Sequence, residues 1–189
     1  MRKIGVMIGS DSDLPQCIKG LELLENAVAN AQIQFTYFDV NSIHRHTLLV
    51  LDTLKAYDQQ RDFKGGVDVL IIGAGMANHL TGCVDAFLRH TLRNHWIIIY
   101  GVAFENEYDS EGTKAAVLSI TQVPSTNVIF RDYVGSEGFF RACNDAIYDD
   151  LQPIELPSSK PYFRWSLQKA ISMAYKKKKE KEEKQKGGK

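Results

Sequence analysis

Three short stretches carry the residue types that could do chemistry: GSDSD at 9–13, NSIHRHT at 41–47 and GAGMANHLTG at 73–82. In the first, Ser10 and Ser12 offer hydroxyl donors beside the unpaired N–H groups of a helix start, a setting that welcomes an anion. Asp13 has two readings there. It could act in a site, or Asp13 or Ser12 could simply cap the helix whose first turn holds Pro15; capping is the simpler reading of this turn taken alone. In the second stretch, Arg45 presents a planar fork suited to phosphate, and His44 beside it can give and take protons near neutral pH. A lone arginine is more often a surface partner of acidic residues, and a lone histidine more often a loop cap. Side by side, and next to Ser42, they point to a phosphate-bearing substrate whose protons must move. His44, His46 and His79 could instead bind a metal. Arg45 between two of those ligands, and the lack of a carboxylate or cysteine at ligand spacing, weigh against it, so no metal is expected. In the third stretch, Gly73, Ala74 and Gly75 let a ligand approach the backbone, although G-x-G is equally a tight strand-to-helix turn.

The elements around these stretches bring them together. Residues 3–8 are an apolar run with the character of a strand covered on both faces, after which Leu14, Ile18, Leu21 and Val28 recur at helical spacing. QIQFTYFD at 32–39 alternates as a strand, with Ile33, Phe35 and Tyr37 on one face. A helix over 47–60 follows, with Leu48, Leu51, Leu54 and Tyr57 three apart. Beyond a polar connection at 58–66 come a strand over 67–72, a helix from near His79, and a strand over 96–100. The acidic loop ENEYDSEG at 105–112 leads to an alanine-rich helix through Ile120 and a last strand near 128–134. Helices over 136–150 and 160–178 flank the proline-marked linker QPIELPSSKP. His90 and His95 flank the fourth strand and read as structural. Tyr162, Phe163 and Trp165 read as packing residues that dock a C-terminal helix on this subunit or a neighbour.

Strands alternating with helices imply right-handed crossovers and a parallel sheet covered on both sides: an α/β, flavodoxin-like three-layer α/β/α sandwich. Ligands in such sheets bind outside the carboxyl ends of the strands, near the switch in strand order. All three chemical stretches fall on that one rim.

A chain of 189 residues suits one well-buried domain with a tail. The expected organisation is an α/β domain over 1–152, a linker and helix over 153–178, and a charged, disordered tail over 179–189. No apolar run spans a bilayer, and the opening segment is too short in apolar residues for a signal peptide, so neither membrane insertion nor secretion is expected. Cys17, Cys83 and Cys143 are odd in number and widely spaced, as in reduced cytoplasmic proteins. The formal net charge of zero hides an asymmetry: 176–189 holds eight lysines and three glutamates, net +5, leaving the body at net −5. Such a body has no general surface for nucleic acid, and any phosphate site in it must be local.

Taken together, GSDSD, SIHR at 42–45 and GAGMANHLTG resemble the GSxSD, SAHR and GAGGAAHLPG motifs of the N5-carboxyaminoimidazole ribonucleotide mutases and aminoimidazole ribonucleotide carboxylases of purine biosynthesis, the PurE family. GVAF at 101–104 and LSITQVP at 118–124 extend the likeness to the family's GVPV and LSIVQMP, so that it spans about residues 1–150. The retained HR, GAG and His79 resemble the mutase class rather than the animal carboxylases, which read SAHK and AGRSN. The resemblance implies a cytoplasmic homo-octamer, sites at subunit junctions, no cofactor, and a ribonucleotide and carbon dioxide as small-molecule substrates. By position it implies binding roles for Gly9, Ser10, Ser12 and Asp13, for Ser42 and Arg45, and for Gly73, Ala74, Gly75, His79 and Leu80, with His44 as general acid and base. Direct carboxylation, a relative acting on another nucleotide, and a non-catalytic nucleotide-binding regulator are the alternatives. The chain departs from the pattern at Ile43 for alanine, at Met76 for glycine, at Asn78 for alanine, and in ENEYDSEG for a small, serine-containing loop.

Overall fold

A computed structural model describes residues 1–60, 65–106, 108–124, 126–158 and 161–187. Parts of the polar connection, the acidic loop, the linker and the extreme tail therefore lie outside the described residues. These form two units, Met1–Pro157 and Ser158–Lys189.

In the first unit four parallel strands, β1 (Arg2–Ile8), β2 (Ile33–Val40), β3 (Val69–Ala74) and β4 (Ile98–Ala103), lie in the order β2-β1-β3-β4. Side chains alternate across the sheet, as a period of two requires. Ile4, Val6, Ile8, Val69 and Ile71 enter one core cluster, with Leu24, Ala27 and Phe139 from α1 (Ile18–Ala29) and α5 (Gly135–Tyr148). Met7, Leu70, Ile72 and Ile99 enter the other, with Val50, Leu54 and Val84 from α2 (Thr47–Gln59) and α3 (His79–Ala86). A sheet buried on both faces reads as unbroken apolar runs, and the flavodoxin-like sandwich follows from them. α4 (Ser110–Thr121) packs Ala116 and Ile120 beside Ala103.

Three local readings change. The apolar spacing that marks α1 is not its buried face: Ile18 and Val28 are exposed, while Gly20, Leu24 and Ala27 are buried. Close approach to α5 decides this, because a Cβ on Gly20 would collide with the Phe139 ring and lie 2.8 Å from Cys143 Sγ. Gly20→Ala should therefore cost about 1–3 kcal/mol through overpacking, measurable by urea unfolding. In β2 the alternation breaks where the register against β1 slips between Ile4 and Val6, so Phe38 joins the core with Phe35, and Tyr37 is exposed. The expected last strand survives only as single bridges, Tyr100 with Ile129 and Ala103 with Val134, since Asp132 between them adopts φ +51°. α3 closes through a π-helical turn, Phe87–Thr91, around a buried ion pair between Arg89 and Asp85.

The second unit contains α6 (Leu167–Gly187). It runs past Lys178, where the sequence spacing ends it, because Lys177, Lys178 and Lys179 pair with Glu180, Glu182 and Glu183 at helical intervals. Among the described residues no helix is long and apolar enough to cross a membrane.

Candidate active site

The chain leaves β1 for β2 on one side and returns to β3 on the other, so the switch point lies beside the end of β1. Pairing continues past the strands: Gly9 N–H donates to Gly73 C=O at 3.0 Å, and Asn41 N–H to Ile8 C=O at 2.9 Å. Gly9 is needed for this approach, as a Cβ there would sit 2.9 Å from Ala74 Cβ. The three loops after β1, β2 and β3 consequently share one cleft of about 300 Å³.

The first wall is a 3-10 turn, Asp11–Cys17. Its cap is Ser10, whose hydroxyl accepts from the Ser12 N–H and the Ser12 hydroxyl. Neither Asp13 nor Ser12 is the N-cap residue; the Asp13 carboxyl takes hydrogen bonds from the backbone of Gly75 and of Ser10, the latter as the third residue of a turn bonding back to its cap. Burial pushes that carboxyl above its ordinary value of 3.8; the two N–H groups pull it down, and neighbouring Asp11 pushes it up. A raised folded-state value means that ionised Asp13 costs stability, a cost absent below pH 3.8 and complete once pH exceeds the raised value. Asp13→Asn should accordingly raise the urea midpoint near neutral pH, and the gain should disappear toward about pH 3.

The second wall is a tight turn in which Ser42 C=O accepts from the N–H groups of Arg45 and His46, at 3.1 and 2.8 Å. Ile43 is the peg of this turn, 7% exposed and packed into the α2 and α3 core, which leaves His44 and Arg45 facing outward. The third wall runs from Ala74 to Leu80. His79, at the first position of α3, places Nδ1 2.9 Å from His44 Nε2, with the rings edge to face. One proton lies between those nitrogens, so the tautomer of either ring sets that of the other. Arg45 has no ion-pair partner among the described residues, unlike the surface pairing that a lone arginine suggests.

Of the residues expected from sequence, Gly9, Ser10, Ser12, Asp13, Ser42, His44, Arg45, Ala74, Gly75, His79 and Leu80 all line this cleft. Gly73 does not. It lies beneath, where a Cβ would sit 2.6 Å from Phe104 Cζ, so its smallness admits a core ring rather than a ligand. Sequence reasoning missed the buried Asn78, which donates to Val102 C=O at 2.9 Å and accepts from Thr81 N–H, fixing the start of α3. Its place just before a helix was the available signal. A larger concavity of about 710 Å³, beside Val117, Leu118 and Val134, lies away from these groups and is mostly apolar.

The AIR carboxylase family model matches residues 3–129, a stretch containing every wall of the cleft. The chain belongs to the AIR carboxylase family. Two curated relatives, both named N5-carboxyaminoimidazole ribonucleotide mutase, are similar to it. One, from Thermotoga maritima, is 33% identical over 84 residues, 44% of this chain and 43% of the relative. The other, from Pyrococcus abyssi, is 30% identical over 124 residues, 66% of this chain and 60% of the relative. The chain thus spans between about two fifths and three fifths of the length of these relatives. Within the AIR carboxylase family match fall the Ile43 peg and the His44–His79 pair, but not α5 or α6.

Proposed function

We propose that this protein is an enzyme of purine biosynthesis that converts N5-carboxyaminoimidazole ribonucleotide to 4-carboxy-5-aminoimidazole ribonucleotide. The observation that carries this reading is the His44–His79 hydrogen bond directly beside Arg45 in the cleft. Arg45, with the hydroxyls of Ser10 and Ser12, binds the 5′-phosphate by charge-assisted hydrogen bonds. Ionised Asp13 accepts from the ribose hydroxyls. In the reaction the N–C bond of the carbamate breaks, carbon dioxide leaves, and His44 protonates the nitrogen that keeps the electron pair. Carbon dioxide is held against Ala74, Gly75 and Leu80. The ring carbon adds to it, and His44 takes the proton that this carbon loses, closing the balance as an isomerisation. His79 holds the His44 ring at the angle both transfers need.

Self-association, which the family resemblance puts at eight copies, is supported by two exposed apolar surfaces. One contains Val117, Leu118 and Val134, the other Ile18, Leu21, Val28 and Phe35. The free thiols of Cys17, Cys83 and Cys143 fit a reducing compartment such as the cytoplasm.

The test is an assay of the purified protein with N5-carboxyaminoimidazole ribonucleotide beside aminoimidazole ribonucleotide plus bicarbonate, following the carbon-carboxylated product. Conversion of the first without high bicarbonate supports the mutase. Conversion of the second alone replaces the mutase with direct carboxylation, and turnover of neither rejects both.

A further inference from the structure

Two of the chain's departures from the family pattern meet at one place. Met76 stands where the mutase motif has glycine, and its backbone keeps a conformation suited to glycine, φ +53°. The acidic loop after β4 is the second departure. Both line a cleft of about 420 Å³ that adjoins the first, shares Ser12, Asp13, Gly75 and Met76 with it, and extends to Gln16, Asn106 and Tyr108. Met76 is therefore common to both spaces, and the residue is 65% exposed.

The mount beneath Met76 is rigid. Gly75 is tied to the Asp13 carboxyl, Ala77 C=O accepts the His79 N–H at 2.7 Å, and Asn78 is buried between Val102 and Thr81. The opposite wall is fixed too: the Gln16 amide donates to Glu105 C=O and accepts from its N–H, both at 2.9 Å. A bulky side chain in left-handed backbone is strained relative to glycine. Strain kept at the rim of a cleft points to a use there. The first cleft is at the small end of ligand sites, which run from about 300 to 1,000 Å³. The adjoining one has no lysine or arginine among its lining residues, so it offers room to a base and not to a phosphate.

We propose that Met76 is a specificity-determining gate: it divides the two clefts and confines the bound nucleotide to a base of one small ring, keeping a fused two-ring base out of the adjoining space. This rests on the nucleotide reading of the cleft. Removing the side chain joins the spaces and admits the wider base.

The experiment measures dissociation constants by calorimetry for aminoimidazole ribonucleotide, inosine 5′-monophosphate and ribose 5-phosphate on the full chain, with Met76→Gly and Met76→Leu beside the wild type. The wild type should prefer the single-ring nucleotide by roughly tenfold or more, the scale on which pocket shape discriminates. Met76→Gly should erase most of that preference with ribose 5-phosphate affinity unchanged, and Met76→Leu should keep it. An unchanged ratio in Met76→Gly, with ribose 5-phosphate still bound, overturns the gate alone. A shift of all three ligands together also overturns it, since it marks a loop that has merely moved. Failure of the wild type to bind ribose 5-phosphate overturns the nucleotide reading and the gate with it.

Discussion

His44→Asn should lower kcat by about 10²–10⁴-fold, the usual worth of a placed proton carrier, while leaving nucleotide affinity nearly unchanged. The substitution is chosen for what it keeps. His44 is exposed at the crest of a turn whose stability comes from the Ile43 peg and the doubly bonded Ser42 carbonyl, so the fold does not depend on its ring. An asparagine amide can still hydrogen-bond toward His79 and still fills the floor beside Arg45. What it cannot do is take a proton from carbon and return one to nitrogen. Single-turnover kinetics beside calorimetric binding separate the two effects, and full turnover in the variant would remove His44 from the chemistry. His79→Ala is a useful companion: it leaves the proton carrier in place but releases its ring, so a smaller fall in kcat with unchanged affinity is expected.

Arg45→Ala should act in the opposite way, weakening nucleotide binding by about 1.5–3 kcal/mol, or roughly 10- to 150-fold in Kd. Arg45 is exposed and has no ion-pair partner among the described residues, so its loss should leave unfolding unchanged. Arg45→Lys should recover only part of the affinity, because an ammonium is a point charge where guanidinium offers a planar fork. Ribose 5-phosphate binding tests the assignment most directly; equal affinity in wild type and Arg45→Ala would move the phosphate elsewhere.

The rim of the sheet was legible in the sequence because the first and third loops follow unbroken apolar runs and the second follows an alternating one, patterns that mark strand ends with little ambiguity. The pairing of His44 with His79 was not. It depends on the sheet register that sets β1 against β3, and on the turn that Ile43 anchors, neither of which is written in local spacing. Asp13 read two ways from its own turn for a related reason: one backbone partner, Ser10, is local, as in a cap, but the other, Gly75, lies 62 residues away in the chain and is what sets the carboxyl in the cleft. α1 misled because Ile18 and Val28, which carry its apolar spacing, lie on its exposed side. The face that packs on α5 is chosen by the smallness of Gly20, which periodicity does not weigh. The last strand failed at Asp132, whose left-handed backbone separates the two single bridges at Ile129 and Val134. Met76 is the same kind of feature at the site, visible as a substitution but not as a conformation.

The hydrogen bond from Gly9 to Gly73, which carries the β1–β3 ladder one residue beyond the end of β1, has a consequence for how the protein should respond to ligand. The cleft's walls are extensions of the central ladder, so opening the cleft means parting the middle of the sheet. A nucleotide bound there should slow amide hydrogen exchange not only in the loops but along the length of β1 and β3, while β2 at the edge is protected less.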